Sequence, residues 1–271
     1  MKTVNPMFQV TWKVDRRLLC FFGVPVDLQN ELPAQPSSHD AAVMLIWGSW
    51  RRKEICIYFR HLKGSGLVIT VREIYDEFAE TYAENRGHFD MTEVLDSFYQ
   101  RLKMKKGRLL DLGCGAGEPF ARFFIERGWT VIGVDFSERM LELASKYVPK
   151  MQTIQADMRE VEFEPSQFEA ITAIYSLFHV PRDDHAALFH KCYQWLRPKG
   201  KALFTYATKE YTGSIEFDGC KEFMGRKLYY SHKSPDKLYA DLETTGFNIE
   251  STDLRNIGNE TFLWVMLGKP V

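Results

Sequence analysis

Cysteine comes in no pattern in this chain. The five in 271 residues (Cys20, Cys56, Cys114, Cys192, Cys220) are scattered, with neither the close pairs of a metal knuckle nor the even set of a disulfide framework. An odd, dispersed set fits reduced thiols in a cytoplasmic protein, and no metal is expected. Long apolar runs are also missing; none approaches the ~18 residues that argue for a membrane span. Residues 18–26 follow Arg16 and Arg17 in the manner of a signal peptide. That stretch is short, contains Pro25 and lacks a small-residue cleavage site, so it is rejected as one. Net charge is nearly absent as well: 35 Lys and Arg against 36 Asp and Glu leave −1. No global field then favours nucleic acid or an anionic membrane. What remains is an ordinary globular composition, long enough for one large α/β domain or one domain with an appendage.

The chain divides near residue 67. Before it, periodicity is poor and turn residues cluster at Pro33-Ala34-Gln35-Pro36-Ser37-Ser38. Residues 1–67 hold nine Lys and Arg against five Asp and Glu, an excess of +4, so the remainder carries −5. Trp12, Trp47, Trp50 and the short apolar runs 43–47 and 55–59 suggest a small β-rich appendage or lid. A second reading is a start site annotated too early, because Leu67, Val68 and Ile69 are residues that alternative start codons can encode. Arg51-Arg52-Lys53 reads as a solvated stretch rather than a nucleic-acid site.

From Thr70 onward, strand-like and helix-like patterns alternate, as a doubly wound α/β domain requires. Residues 108–112 form a short buried strand, followed by the glycine turn 113–117 and a helix opening near Pro119 and closing at Gly128. Residues 130–134 make a second strand ending in Asp135; Ser137 caps the next helix, with Met140, Leu141, Ala144 and Val148 on one face. Third, fourth and fifth strands are expected at 152–155, 168–175 and 201–206, the last after a turn at 197–200. A helix over 184–196 places His185 at its exposed start, and Ser234-Pro235 opens a final helix ended by Gly246. Residues 247–254 and 260–267 then form a hairpin.

The turn Leu109-Leu110-Asp111-Leu112-Gly113-Cys114-Gly115-Ala116-Gly117-Glu118-Pro119 carries the chemistry. Its glycines permit positive φ and let backbone approach a ligand at a helix N-terminus. Asp135 lies 20 residues beyond Gly115, a spacing that suits a carboxylate on a ribose diol. The dinucleotide fingerprint is G-x-G-x-x-G, and Glu118 stands where its third glycine belongs. A carboxylate there would repel a pyrophosphate, whereas Glu118 and Asp111 together suit a cationic ligand bearing an ammonium and a sulfonium.

These residues resemble the first motif of the class I S-adenosylmethionine-dependent methyltransferases; Asp135 and Ala156-Asp157-Met158 match the second and third in order and spacing. Tyr175-Ser176-Leu177-Phe178-His179-Val180-Pro181 and Phe262-Leu263-Trp264-Val265 look like the small-molecule members, broadly the ubiquinone/menaquinone-biosynthesis type. The resemblance covers about 71–271. It implies a Rossmann-like, mostly parallel seven-stranded sheet with an antiparallel final strand, S-adenosylmethionine as cofactor and a small-molecule methyl acceptor. It further implies a chain acting as a monomer or homodimer. By the same resemblance, Gly113, Gly115 and Gly117 wrap the methionine moiety, with Asp111 near its ammonium; Cys114 is counted among the cofactor positions, though its plainer reading is a small turn residue. Asp135 would hold the ribose, Phe136 flank the adenine, Asp157 and Met158 meet its ring, and Met140 is counted among the cofactor-binding residues. A leading helix around Ile74–Tyr82 would cover the cofactor, which brings in Tyr75, Tyr82 and Arg86; their spacing is equally that of an ordinary packing face.

Methyl transfer needs an oriented nucleophile, relieved of its proton where it carries one. His179, four residues after Tyr175, is the candidate base, and Tyr175 shares its face if a helical turn begins there. The alternative is that His179 packs beneath the Pro181 turn. Residues 208–234, rich in aromatics and acids, suggest a wall over the acceptor, with His232 and Trp264 as further pocket residues. Two rival functions stand beside a methyltransferase: a non-catalytic S-adenosylmethionine-binding protein, and an NAD-dependent oxidoreductase.

Overall fold

The computed structural model describes residues 70–85 and 90–271, together with residues 44–45 and 58–59; the side chains of Glu80 and residues 82–85 are outside that description. The chain separates into two units, Met1–Val68 and Ile69–Val271. In the first, two-residue strands Met44–Leu45 and Tyr58–Phe59 pair antiparallel. Trp12, Trp47, Trp50 and the basic run 51–53 lie outside the described residues.

The second unit opens with helix α1 (Val71–Asn85). Thr70 and Glu73 form a reciprocal cap: the Glu73 carboxylate accepts from the Thr70 N–H at 2.7 Å, and Thr70 Oγ1 accepts from the Glu73 N–H at 3.3 Å. Helix α2 (Thr92–Leu102) turns Val94, Leu95, Phe98 and Leu102 inward at helical spacing. Burying each of these contributes ~1.5–3 kcal/mol, which fixes α2 on the sheet.

Seven strands build the central sheet: β1 (Arg108–Leu112), β2 (Thr130–Asp135), β3 (Gln152–Gln155), β4 (Phe168–Ala173), β5 (Leu196–Tyr206), β8 (Asn248–Ile257) and β9 (Glu260–Gly268). Their spatial order is β8-β9-β5-β4-β1-β2-β3. β1 to β5 are mutually parallel, and β9 runs antiparallel to both β5 and β8. This is the mostly parallel sheet with an antiparallel final strand anticipated above. Helices α3 (Phe120–Glu126), α4 (Glu138–Tyr147), α5 (His185–Trp195) and α7 (Pro235–Thr245) supply the crossovers and the cover. Strands covered on both faces read as continuous apolar runs, as β1 and β4 do.

Three local expectations need correction. The turn at 197–200 lies inside β5, which starts at Leu196 and shifts register against β4 between Phe168 and Ala170. The fourth strand stops at Ala173, because Tyr175 adopts a left-handed φ of 54° that no strand continues through. His185 is fully buried: one ring nitrogen meets the Tyr206 hydroxyl and the other the Val180 carbonyl, each at 2.9 Å. A helix start is an exposed place only when nothing packs over it; here Tyr206 of β5 does.

Between β5 and α7 come a short helix α6 (Lys209–Thr212) and a hairpin of β6 (Phe217–Phe223) and β7 (Arg226–His232). Together with α1 these elements stand over the carboxyl ends of the parallel strands. Strand order reverses between β1 and β4, the place where open α/β sheets hold ligands.

Candidate functional site

A cavity lies at that reversal. The ends of four strands meet there: Gly113 and Gly115 after β1, Asp135 and Phe136 at β2, Asp157 and Met158 after β3, and Tyr175 and Ser176 after β4. Tyr75 of α1, Met140 of α4 and His179 complete the wall.

The glycines have distinct reasons. At Gly113, φ is +72°, and an added Cβ would meet Ser176 Cβ at 2.3 Å. Ser176 cannot withdraw freely, since its hydroxyl donates to the Leu112 carbonyl at 2.7 Å. At Gly115, φ is +50° and an added Cβ meets nothing within 4 Å, so the turn leaves space beside the cavity. Gly117 instead packs toward Met151 and Val148 and does not line the cavity.

Asp135 closes the turn. One carboxylate oxygen accepts from the Gly115 N–H at 2.9 Å and the other from the Ser137 N–H at 2.9 Å. Burial raises its pKa to about 6, against these bonds, which lower it. Asp111 is buried below the turn, where the Thr172 hydroxyl donates to it at 2.7 Å, and burial raises it too to about 6. Neither Asp111 nor buried Cys114 lines the cavity. Burial would raise Asp157, but Arg159 outweighs it with a bidentate pair (Nη2 to Oδ2 2.6 Å) and holds the carboxylate low. Arg159 itself lines the cavity, a residue the motif reading passed over although it stands two positions after Asp157.

Glu118 needs a correction. Its carboxylate pairs with Arg122 at 2.6 Å, one helical turn on, and does not line the cavity. The charge assigned to repelling a pyrophosphate is therefore met in part by Arg122 of α3. What argues for the ligand class is the cavity itself, with Asp135 at the end of β2.

Helix α1 is fastened across the cavity at three places. The Tyr75 hydroxyl is 2.9 Å from His179 Nε2, Asp76 accepts from the Ser137 hydroxyl at 2.6 Å, and Glu77 pairs with Arg226 of β7 at 2.9 Å. The His179 tautomer follows from its other nitrogen, 2.8 Å from the Tyr229 carbonyl. A carbonyl only accepts, so Nδ1 carries the proton and Nε2 accepts from Tyr75. Burial pulls the His179 pKa down to about 4, which leaves the ring neutral near pH 7. Tyr82 and Arg86 lie outside the described side chains.

A second cavity adjoins the first and shares Tyr75 and Tyr175 with it. Apart from Met91 and Glu260, its lining is aromatic, with Phe178, Tyr211, Phe223, Tyr230 and Phe262 contributing rings. His232 and Trp264 line neither cavity: His232 is bound to the Thr212 hydroxyl at 2.7 Å, and Trp264 stacks on Phe120. Of the segment 208–234, Tyr211, Phe223 and Tyr230 line this second cavity.

Residues 109–200 match the methyltransferase domain family. A Bacillus subtilis protein named as a methyltransferase, YqeM, is 35% identical over 136 residues, covering 48% of this chain and 54% of that protein. The chain thus spans little more than half the length of that relative. The 27-O-demethylrifamycin SV methyltransferase of Amycolatopsis mediterranei is 28% identical over 202 residues, 66% of this chain and 74% of that one. In fold, the chain superposes on phosphoethanolamine N-methyltransferase 2 of Haemonchus contortus, in complex with S-adenosyl-L-methionine. The TM-score is 0.58 at 20% identity, over 75% of this chain and 61% of that one. Sheet order and cavity position agree with that match: residues 109–200 carry a methyltransferase domain within a Rossmann-like α/β sheet.

Proposed function

We propose that the chain moves a methyl group from S-adenosylmethionine to a small-molecule acceptor, with the cofactor in the larger cavity and the acceptor in the aromatic one. The observation that carries this is the pair of cavities meeting at Tyr75 and Tyr175. One chamber has the polar strand-end residues a nucleoside needs; the other is lined mainly by aromatic rings.

The residues present fit the cofactor. The open space at Gly115 admits the methionine end, Asp135 suits the ribose diol, and Phe136, Met140 and Met158 make an apolar slot for the base. Asp157 reaches the base edge only alongside Arg159, with which it is already paired. Asp111 acts from beneath, through the strand end rather than by contact. When bound, the cofactor supplies a sulfonium-activated methyl for in-line displacement.

The chain's own work is positioning and proton management. Tyr75 stands in the lining of both chambers, and its hydroxyl proton points at a neutral imidazole. As an acceptor gives up its proton to the Tyr75 oxygen, Tyr75 passes its own to His179 Nε2, and the Tyr229 carbonyl holds the resulting imidazolium through Nδ1. His179 then acts as base through Tyr75; Tyr175 shapes the passage between chambers. Relays of this type contribute about 10²–10⁴-fold in rate.

The relatives do not transmit an acceptor, since 27-O-demethylrifamycin SV and phosphoethanolamine are named for different ones. A cytoplasmic location belongs to the same reading: among the described cysteines Cys114, Cys192 and Cys220 are free thiols. No helix among the described residues is long and apolar enough to cross a membrane.

Calorimetry with S-adenosylmethionine, S-adenosylhomocysteine and NAD tests the assignment. Binding of the first two and none of the third is expected; NAD binding without the sulfonium cofactor would refute it. Asp135→Ala should cost ~1–3 kcal/mol of cofactor affinity through lost charge-assisted bonds.

A further inference from the structure

Among the described residues, the smaller chamber has one charged side chain in its lining, Glu260 at the start of β9. The hydrogen-bond donor facing its carboxylate is the Tyr211 hydroxyl, at a long 3.5 Å. Burial pushes the Glu260 pKa up, the direction expected of a carboxylate taken from water without full compensation. Lys221 acts on it only from a distance. Its ammonium lies 3.8 Å over the Tyr211 ring and donates to the Tyr211 carbonyl. Among the described residues no cation stands within ion-pair distance of Glu260. A half-buried carboxylate in an aromatic box is costly unless something positive joins it.

The rings around it complete the pattern. Tyr211 lies 4.4 Å from Phe262 and 5.3 Å from Tyr230 between centroids, and Phe178 stacks on both Phe262 and Tyr230. Such faces carry negative quadrupole and attract cations, as Tyr211 already does with Lys221. Among the described residues, no lysine or arginine is in the chamber's lining.

Resting on the methyltransferase reading above, we infer that the acceptor is an organic amine, bound as its ammonium between Glu260 and the aromatic rings. The reacting atom is then nitrogen. The N–H bond breaks toward the Tyr75 oxygen as the Tyr75 proton moves to His179. The freed lone pair forms the N–CH₃ bond while the C–S bond breaks and its electron pair returns to sulfur. Glu260 is a specificity residue here, holding the charge of the ammonium; it takes no proton in the step.

Binding decides the matter without knowledge of the natural acceptor. Phenethylammonium, tetramethylammonium, the neutral 2-phenylethanol and the anion phenylacetate are titrated into the full chain by calorimetry, with and without S-adenosylhomocysteine. The two cations should bind about tenfold tighter than the alcohol, and phenylacetate weakest. In Glu260→Gln the cation preference should shrink to within about threefold, with S-adenosylhomocysteine affinity unchanged as proof of an intact fold. Tyr211→Phe keeps the ring and should keep most of the preference. An alcohol bound as well as the ammonium, or a preference that survives Glu260→Gln, would overturn the inference. Absence of S-adenosylhomocysteine binding in the wild type would instead strike the methyltransferase reading, while the amine titrations on the unliganded chain still report on the chamber.

Discussion

Gly113→Ala and Gly115→Ala place the same methyl group two residues apart on one turn, and the structure separates their consequences. Both glycines have positive φ, so alanine costs each about 1–2 kcal/mol of backbone strain. At Gly115 the new Cβ meets nothing within 4 Å, and the cost to folding should stop there. At Gly113 it would stand 2.3 Å from Ser176 Cβ and 2.9 Å from Ser176 Oγ. Relief requires Ser176 to move, losing its bond to the Leu112 carbonyl (about 1 kcal/mol) and shifting packed backbone (about 1–3 kcal/mol). Gly113→Ala should therefore lose about 3–6 kcal/mol in total, against about 1–2 for Gly115→Ala, read from urea midpoints at constant m-value. Cofactor binding should discriminate in the opposite sense per unit of stability. The folded Gly115→Ala protein adds a methyl beside the cavity and should bind S-adenosylhomocysteine about tenfold more weakly. Equal destabilisation by the two substitutions, or wild-type affinity in Gly115→Ala, would refute this account of the turn.

Asp111 offers a pH test. Its folded pKa is raised from 3.8 to about 6, so the native state favours the protonated form; its contribution to stability is present below pH 3.8 and is lost as pH rises through 6. Asp111→Asn should stabilise the chain above pH 6 by about 2–3 kcal/mol relative to wild type, with the gain vanishing near pH 4 in denaturant titrations. The buried histidines run the other way. His179 and His185 both fall from 6.5 to about 4, so stability is full above pH 6.5 and declines as pH drops toward 4. His185→Gln should flatten that acid limb, as thermal melts across pH 4–7 would record. Tyr75→Phe removes the relay hydroxyl and leaves Nε2 of His179 without its donor. It should cost about 1–3 kcal/mol in stability and 10²-fold or more in turnover, with cofactor affinity nearly unchanged. Turnover at wild-type rate would remove Tyr75 from proton transfer.

The domain's outline was legible because it rests on local rules. Strands such as 108–112 and 130–134 are short apolar runs closed by glycine or acid, the Ser137 cap follows from its place before an amphipathic run, and the left-handed glycines mark the turn. The final hairpin was legible as the runs 247–254 and 260–267, although its first strand continues to Ile257. His185 was misjudged because its helix-start position says nothing about Tyr206, 21 residues away in sequence, which covers it. Glu118 was misjudged because its partner Arg122 is one turn further on, a local pair that competes with any ligand. Glu260 and Met91 were not singled out at all, since neither sits in a motif; they reach the aromatic chamber from β9 and from the start of α2.

By itself the sequence determined the strand–helix alternation, the glycine turn and the acid 20 residues later, because hydrophobic period and φ preference act over a few residues. Only the tertiary structure decided which of those residues share a cavity. It brought Tyr75 to His179 across 104 positions, sank Asp111 and Cys114 beneath the turn, and gathered rings from five elements around one carboxylate. Those are contacts between distant segments, made when the sheet closes its order and α1 is fastened over it, and no local pattern encodes them.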